Sequence, residues 1–208
     1  MIFLRYESFR SYLKLYPVTS AILAINLVLF AVLELSGGSQ NRLTLFHFGA
    51  FWTGPENPFG LAEIWRYITS QFLHIGLEHL LFNCFSILVF TPPLERLFGS
   101  VKYLVFYLLC GISGNLLSAA VAFVGSLDGY SFSAGASGAI YGVFGAYLYL
   151  ALLRKNSLDE ASRKTVYMIL VIGLIYSVFA PRVNLWGHVG GGIGGFLLYS
   201  LFAGKKTR

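Results

Sequence analysis

Apolar runs of bilayer length, separated by short basic patches, divide this chain almost from end to end. Six runs qualify, at about 18–35, 77–95, 102–125, 137–153, 165–181 and 187–203. A hydrocarbon core about 30 Å thick is crossed by about 20 helical residues. Backbone inside it must satisfy its own hydrogen bonds, which leaves helices or closed barrels. The runs are helix-length, so the expected fold is an all-α membrane protein, a six-transmembrane-helix bundle. Only 12% of residues are charged and 56% are hydrophobic, against about 25% charged in soluble domains. One membrane domain, 1–208, uses the whole length, with 1–17 as a cytoplasmic N-terminal segment and 204–208 as a cytoplasmic tail. Arg5, Arg10 and Lys14 precede a first run too long for a signal peptide, and no A-x-A site follows it, so that helix is expected to stay. Cys84 and Cys110 both lie in apolar runs and imply no disulfide framework.

The basic residues set the orientation. With both termini inside, the inner segments hold Arg5, Arg10, Lys14, Arg96, Lys102, Arg154, Lys155, Arg163, Lys164, Lys205, Lys206 and Arg208, and the outer ones hold only Arg42, Arg66 and Arg182. Lys and Arg concentrate on the cytoplasmic side. The net charge of +6 is therefore read as membrane topology rather than nucleic-acid binding. The first outer loop, 36–76, is the only long one and is rich in aromatics, among them Phe46, Phe51, Trp52, Trp65 and Tyr67. Such rings favour the interface, so the loop is expected to be membrane-associated.

Polar residues within the runs are costly and tend to be functional or paired. His79 and Asn83 are four apart and share a helical face. Ser137 opens the fourth run within Gly135-Ala136-Ser137-Gly138, and His188 opens the sixth within Gly187-His188-Val189-Gly190-Gly191. His79 to Arg96, Ser137 to Arg154 and His188 to Lys205 each span 17 residues, which puts all three roughly 25 Å above the inner surface. Gly138, Gly142 and Gly145 on the fourth run face Gly187, Gly191 and Gly195 on the sixth, and small residues at this spacing let helices approach closely. A serine hydroxyl needs an adjacent base. His188 can be that base, and no intramembrane Asp or Glu is placed to orient it, so the expected unit is a dyad. Tyr141, one turn after Ser137, can pack against the imidazole. Asn83, His79 and the Ser137 backbone N–H are candidate oxyanion donors.

At these residues the sequence resembles the rhomboid proteases of the bacterial six-span type. The matching pieces are Trp65-Arg66, His74…His79…Asn83, Glu95-Arg96, Gly135-Ala136-Ser137-Gly138 with Tyr141, and Gly187-His188-Val189-Gly190-Gly191, in order from about residue 60 onward. The resemblance implies an intramembrane serine endopeptidase, without cofactor, that cleaves single-pass membrane proteins in or near their transmembrane helix. It implies Ser137 as nucleophile, His188 as base and acid, and Asn83, His79 and the Ser137 N–H as the oxyanion site. Gly135, Gly138, Tyr141 and His74 support them. Trp65 and Arg66 belong to a structural loop, and the fifth span with the loop around Pro181–Trp186 forms a gate and cap. The implied location is the cell (inner) membrane, with the active site opening to the outer face.

Other readings explain less. A lone G-x-S-G is ordinarily a packing motif, but here His79, Asn83 and His188 share its depth. His74 and His79 as zinc ligands sit five apart, off one helical face, with no H-E-x-x-H. A catalytically dead relative would not be expected to keep Ser137, His188 and Asn83. A transporter predicts internal repeats and midplane sites, and no repeat is found. Asn26 and Asn115 are expected to hydrogen-bond between helices, and Tyr130–Ala136 to be extended chain. The sequence assigns no substrate identity and no oligomeric state.

Overall fold

The computed structural model describes residues 1–125, 130–180 and 183–203. The expected cytoplasmic tail, Lys205 of the depth count, and Pro181 and Arg182 of the expected cap lie outside the described residues. Six of the described α-helices begin where a side chain or a proline serves the first turn. The described elements are α1 Phe9–Leu15, α2 Pro17–Leu35, α3 Arg42–His47, β1 Phe51–Thr53, α4 Arg66–Thr69, α5 Leu77–Phe90, α6 Pro92–Phe98, α7 Ser100–Gly125, β2 Ser131–Ser133, α8 Ser137–Leu153, α9 Glu160–Phe179 and α10 Leu185–Phe202. Ser8, Asn41, Asp159 and Asn184 cap α1, α3, α9 and α10 through their side-chain oxygens. The Ser162 hydroxyl, then its backbone N–H, hold the Asp159 carboxyl at about 2, well below the usual range.

Five of the six expected runs appear as single helices close to the predicted bounds, whereas the second does not. It divides into α5 and α6 at Thr91, because Pro92 lacks the N–H that would continue α5 and fits the first turn of a new helix. The 17-residue count from His79 to Arg96 therefore crosses a break. Before α5 the chain turns sharply, with Arg66–Phe72 and Leu77–Phe90 bent by 95°. By length and composition α2, α7 and α9 can each cross a membrane, and that bent pair adds a fourth if taken as one span; α8, at 17 residues, is shorter.

Glu95 links three helices. Its carboxylate accepts the N–H groups of Val18 and Thr19 at 2.9 and 2.8 Å and the Ser100 hydroxyl at 2.8 Å. It thereby serves the starts of α2 and α7. Its sequence neighbour Arg96 is exposed, and the two form no ion pair with each other.

The long loop is folded, and not all of its rings face outward. Phe51 and Tyr67 are buried, whereas Trp65 is exposed with Leu61 and Ile64 beside it in sequence. Arg66 is buried at the loop's centre. It donates to the carbonyls of Phe46 (2.6 Å) and Ala50 (3.0 Å) and pairs with Glu63 (2.9 Å), its guanidinium lying over the Phe46 and Trp65 rings. That hydrogen bond, followed by one from the Trp52 indole, holds the Glu63 carboxyl below its ordinary range. Arg66→Met is expected to leave two carbonyls and Glu63 without this donor and to destabilise by about 2–4 kcal/mol. The check is a fall in Tm in detergent.

The β1–β2 ladder adds a small antiparallel sheet to a fold read as all-α. Phe51 pairs with Ser133, Trp52 with Phe132 and Thr53 with Ser131. The extended stretch expected at 130–136 thus includes a strand docked on the loop. Asn115 of α7 secures the same place, donating to the Ser70 hydroxyl (3.0 Å) and accepting from the Ser133 hydroxyl (3.0 Å). Asn26 departs from expectation, being buried with neither side-chain atom hydrogen-bonded among the described residues.

At the centre, α10 packs on α8 and α7 through glycine. A Cβ on Gly195 would collide with the Gly142 carbonyl, and one on Gly191 with the Gly138 carbonyl. Gly187 joins the close approach through its carbonyl, 2.5 Å from a Cβ on Gly114, whereas a Cβ on Gly187 itself would meet its own cap, Asn184, at 2.8 Å. Helix α9 lies outside the packed centre, with only 17% of its most apolar 18-residue window buried. Its Val171, Ile172, Ile175, Val178 and Phe179 are exposed. A continuous apolar face of this kind is suited to lipid rather than water.

Candidate active site

Ser137 is the first residue of α8, and its position is set from the β2 side. Gly135, at φ 146, donates its N–H to the Ser70 carbonyl at 2.9 Å. A side chain there would be strained, and its Cβ would also lie 2.6 Å from His79 Cε1 and 2.9 Å from His79 Nε2. The same point is 3.7 Å from Ser137 Oγ, so the bare Gly135 backbone brings His79 and Ser137 to one spot. The helix cap, Ala136, has no side-chain acceptor for the first N–H groups of α8. Those donors and the positive end of the helix dipole therefore sit at Ser137.

His188 lies in the first turn of α10 and is buried. Its ring stacks on Tyr141, with centroids 4.1 Å apart and planes at 10°. Tyr141 is four residues after Ser137 on α8, on the same helical face. The stack therefore brings the imidazole to the Ser137 face. Ser137 and His188 are not hydrogen-bonded to each other among the described residues. Such contacts often tighten only when substrate binds. What His188 does bind is Ser177 of α9, with 2.6 Å between Nδ1 and the hydroxyl oxygen. The Ser177 oxygen lies 3.1 Å from the Tyr141 hydroxyl and 2.6 Å from the Gly173 carbonyl. Sequence reasoning missed Ser177. The signal was Gly173 and Ser177, two small residues four apart on an otherwise bulky helix.

The other expected members divide. His79 receives the Ile75 N–H on Nδ1 at 3.4 Å, which leaves its Nε2 toward Gly135 and Ser137. Asn83, buried one turn on, donates one amide hydrogen back to the His79 carbonyl at 2.7 Å. His74 precedes α5 and is fully buried, with its ring 5.3 Å from that of His79. Gly138 is less demanding than expected, since a Cβ there would stand 3.5 Å from the Gly187 carbonyl, an ordinary contact. A cavity of about 520 Å³ meets this centre at Ser177; Ser118, Asn184, Val121, Val183 and Trp186 also line it, and Ser137, His188, His79 and Asn83 do not.

Comparison with known proteins decides the family. A model of the rhomboid domain matches residues 61–205. The chain belongs to the rhomboid family. It is 35% identical over 211 residues to the putative rhomboid protease YdcA of Bacillus subtilis, covering 100% of this chain and 99% of that protein. The rhomboid protease GluP of the same organism is 38% identical over 179 residues, which span 86% of this chain but 33% of GluP. RHOMBOID-like protein 7 of Arabidopsis thaliana is 33% identical over 137 residues, covering 65% of this chain and 42% of that protein. This rhomboid is accordingly a serine-type intramembrane endopeptidase and a multi-pass membrane protein, acting on membrane-protein substrates in the bilayer.

Proposed function

We propose that Ser137 is the nucleophile and His188 the general base, in a protease that cuts the transmembrane segments of single-pass membrane proteins. The observation that carries this is the His188 imidazole stacked on Tyr141, one turn from Ser137, with Nδ1 engaged elsewhere. Nε2 is the nitrogen left for the serine hydroxyl. His188 takes the Ser137 proton as Oγ attacks the scissile carbonyl, and returns it to the leaving amine. Water then hydrolyses the acyl-enzyme with the same base. The 520 Å³ cavity beside Ser177 supports a route for that water.

The tetrahedral oxyanion forms at the uncapped start of α8. The Ser137 N–H, the His79 Nε2–H and the remaining Asn83 amide hydrogen are its donors. Gly135 keeps space for the approach, and His74 supports His79. The chemistry needs no cofactor. The whole chain acts as one six-span domain in the cell membrane, both termini cytoplasmic and the site opening to the outer face. The bias of Lys and Arg supports that orientation.

The test is cleavage of a single-pass substrate with a labelled transmembrane segment, by purified protein in liposomes. Release of a fragment cut within or beside that segment is expected, and no cleavage under any lipid composition would contradict the reading. In the same assay His79→Ala is expected to lower kcat about 100-fold. Asn83→Ala should lower it about tenfold, because one of its two amide hydrogens is committed to its own helix. The reverse order would remove His79 as the main side-chain donor.

A further inference from the structure

We propose that Ser177 is a positioning residue that locks His188 in the tautomer with the proton on Nδ1. The inference rests on the reading of His188 as general base and extends it to α9, a helix that carries none of the groups assigned above.

A serine in an apolar helix ordinarily donates its hydroxyl proton to the carbonyl four residues back. Ser177 does so, to Gly173 at 2.6 Å. That bond uses the one proton the hydroxyl has. The oxygen keeps two lone pairs, and two groups stand within reach of them: His188 Nδ1 at 2.6 Å and the Tyr141 hydroxyl at 3.1 Å. With its proton committed to Gly173, Ser177 can only accept from both. Nδ1 must then carry a hydrogen, and the neutral ring's lone pair is on Nε2. That is the form a general base needs toward Ser137.

The site holds a contrasting imidazole. His79 Nδ1 accepts a backbone N–H, so its proton sits on Nε2. The two rings are thus held in opposite tautomers by what each Nδ1 touches, which leaves His188 Nε2 to accept from Ser137 and His79 Nε2 to donate. A neutral hydroxyl does for His188 what a carboxylate does in a triad. It orients the ring without burying a charge, and Ser177 itself is buried. Packing supports the role, since a Cβ on Gly173 would lie 2.5 Å from the Tyr141 hydroxyl, so α9 is close enough at this point for Ser177 to reach the ring.

The experiment is nitrogen-15 NMR of histidine-labelled protein in detergent, with His188 assigned by its loss in His188→Asn. The wild type is expected to show a protonated Nδ1 and an unprotonated Nε2 for His188, and the opposite for His79. Ser177→Ala should give a mixture of His188 tautomers and lower kcat about tenfold, with KM within about twofold. Ser177→Thr keeps the hydroxyl and should restore both the spectrum and kcat to within about threefold of wild type. An unprotonated Nδ1 in wild type, an unchanged His188 spectrum in Ser177→Ala, or a Thr variant as slow as Ala would each overturn the proposal. The expected spectra in a protein that cleaves nothing would uphold Ser177 and reject the general-base reading instead.

Discussion

Replacing Ser137 with Ala is expected to lower cleavage of a reconstituted single-pass substrate by at least about 10⁴-fold, to the background of the assay. Losing the nucleophile of a serine–histidine unit removes covalent catalysis outright, and only binding and oxyanion stabilisation remain. The fold should be nearly indifferent to the change. Ser137 is half-buried at the first position of α8, and its hydroxyl makes no hydrogen bond among the described residues. Stability should change by less than about 1 kcal/mol. The pair of measurements is a cleavage time course and a Tm on the same preparation. Equal loss of both would mean that the serine is structural.

The second large effect is expected on the seam between α8 and α10. Leu at Gly191 or at Gly195 would drive a side chain into the Gly138 or the Gly142 carbonyl, backbone that cannot rotate away. The helices must separate or the protein must unfold, at a cost of at least about 4 kcal/mol. Either outcome parts Ser137 from His188, so activity should vanish along with the cooperative thermal transition. Gly192 is the control on the same helix. A Cβ there would be 3.7 Å from the Tyr141 carbonyl, an ordinary contact. Gly192→Ala is expected to fold and cleave as the wild type does. Normal folding of the Gly191 and Gly195 variants would mean that the close approach is not what assembles the site.

Much of this arrangement is legible in the sequence. Periodic apolar runs mark helices because burial in lipid and in the bundle both demand them, and five of the six runs became single helices. The glycine seam was legible because small residues at that spacing let helix backbones approach closely. The Tyr141–His188 stack followed from the one-turn separation of Tyr141 and Ser137. The break at Thr91 was less visible, since Pro92 and Pro93 lie inside a run whose apolar pattern continues to Leu94. The β1–β2 pairing joins segments 80 residues apart and leaves no local signature. Ser177 was hidden for a different reason. A lone serine in a helix satisfies itself on its own backbone, and only the tertiary position of α9 shows that its oxygen also meets His188. The contact of His188 is with a residue that is neither acidic nor near the motifs.

The most direct test of the central claim is covalent labelling with a fluorophosphonate followed by peptide mapping. The serine–histidine account predicts one adduct on Ser137 in the wild type, absent in Ser137→Ala and lost in His188→Ala, where the hydroxyl remains but its base is gone. An adduct on another residue, or labelling of Ser137 that persists undiminished in His188→Ala, would contradict it.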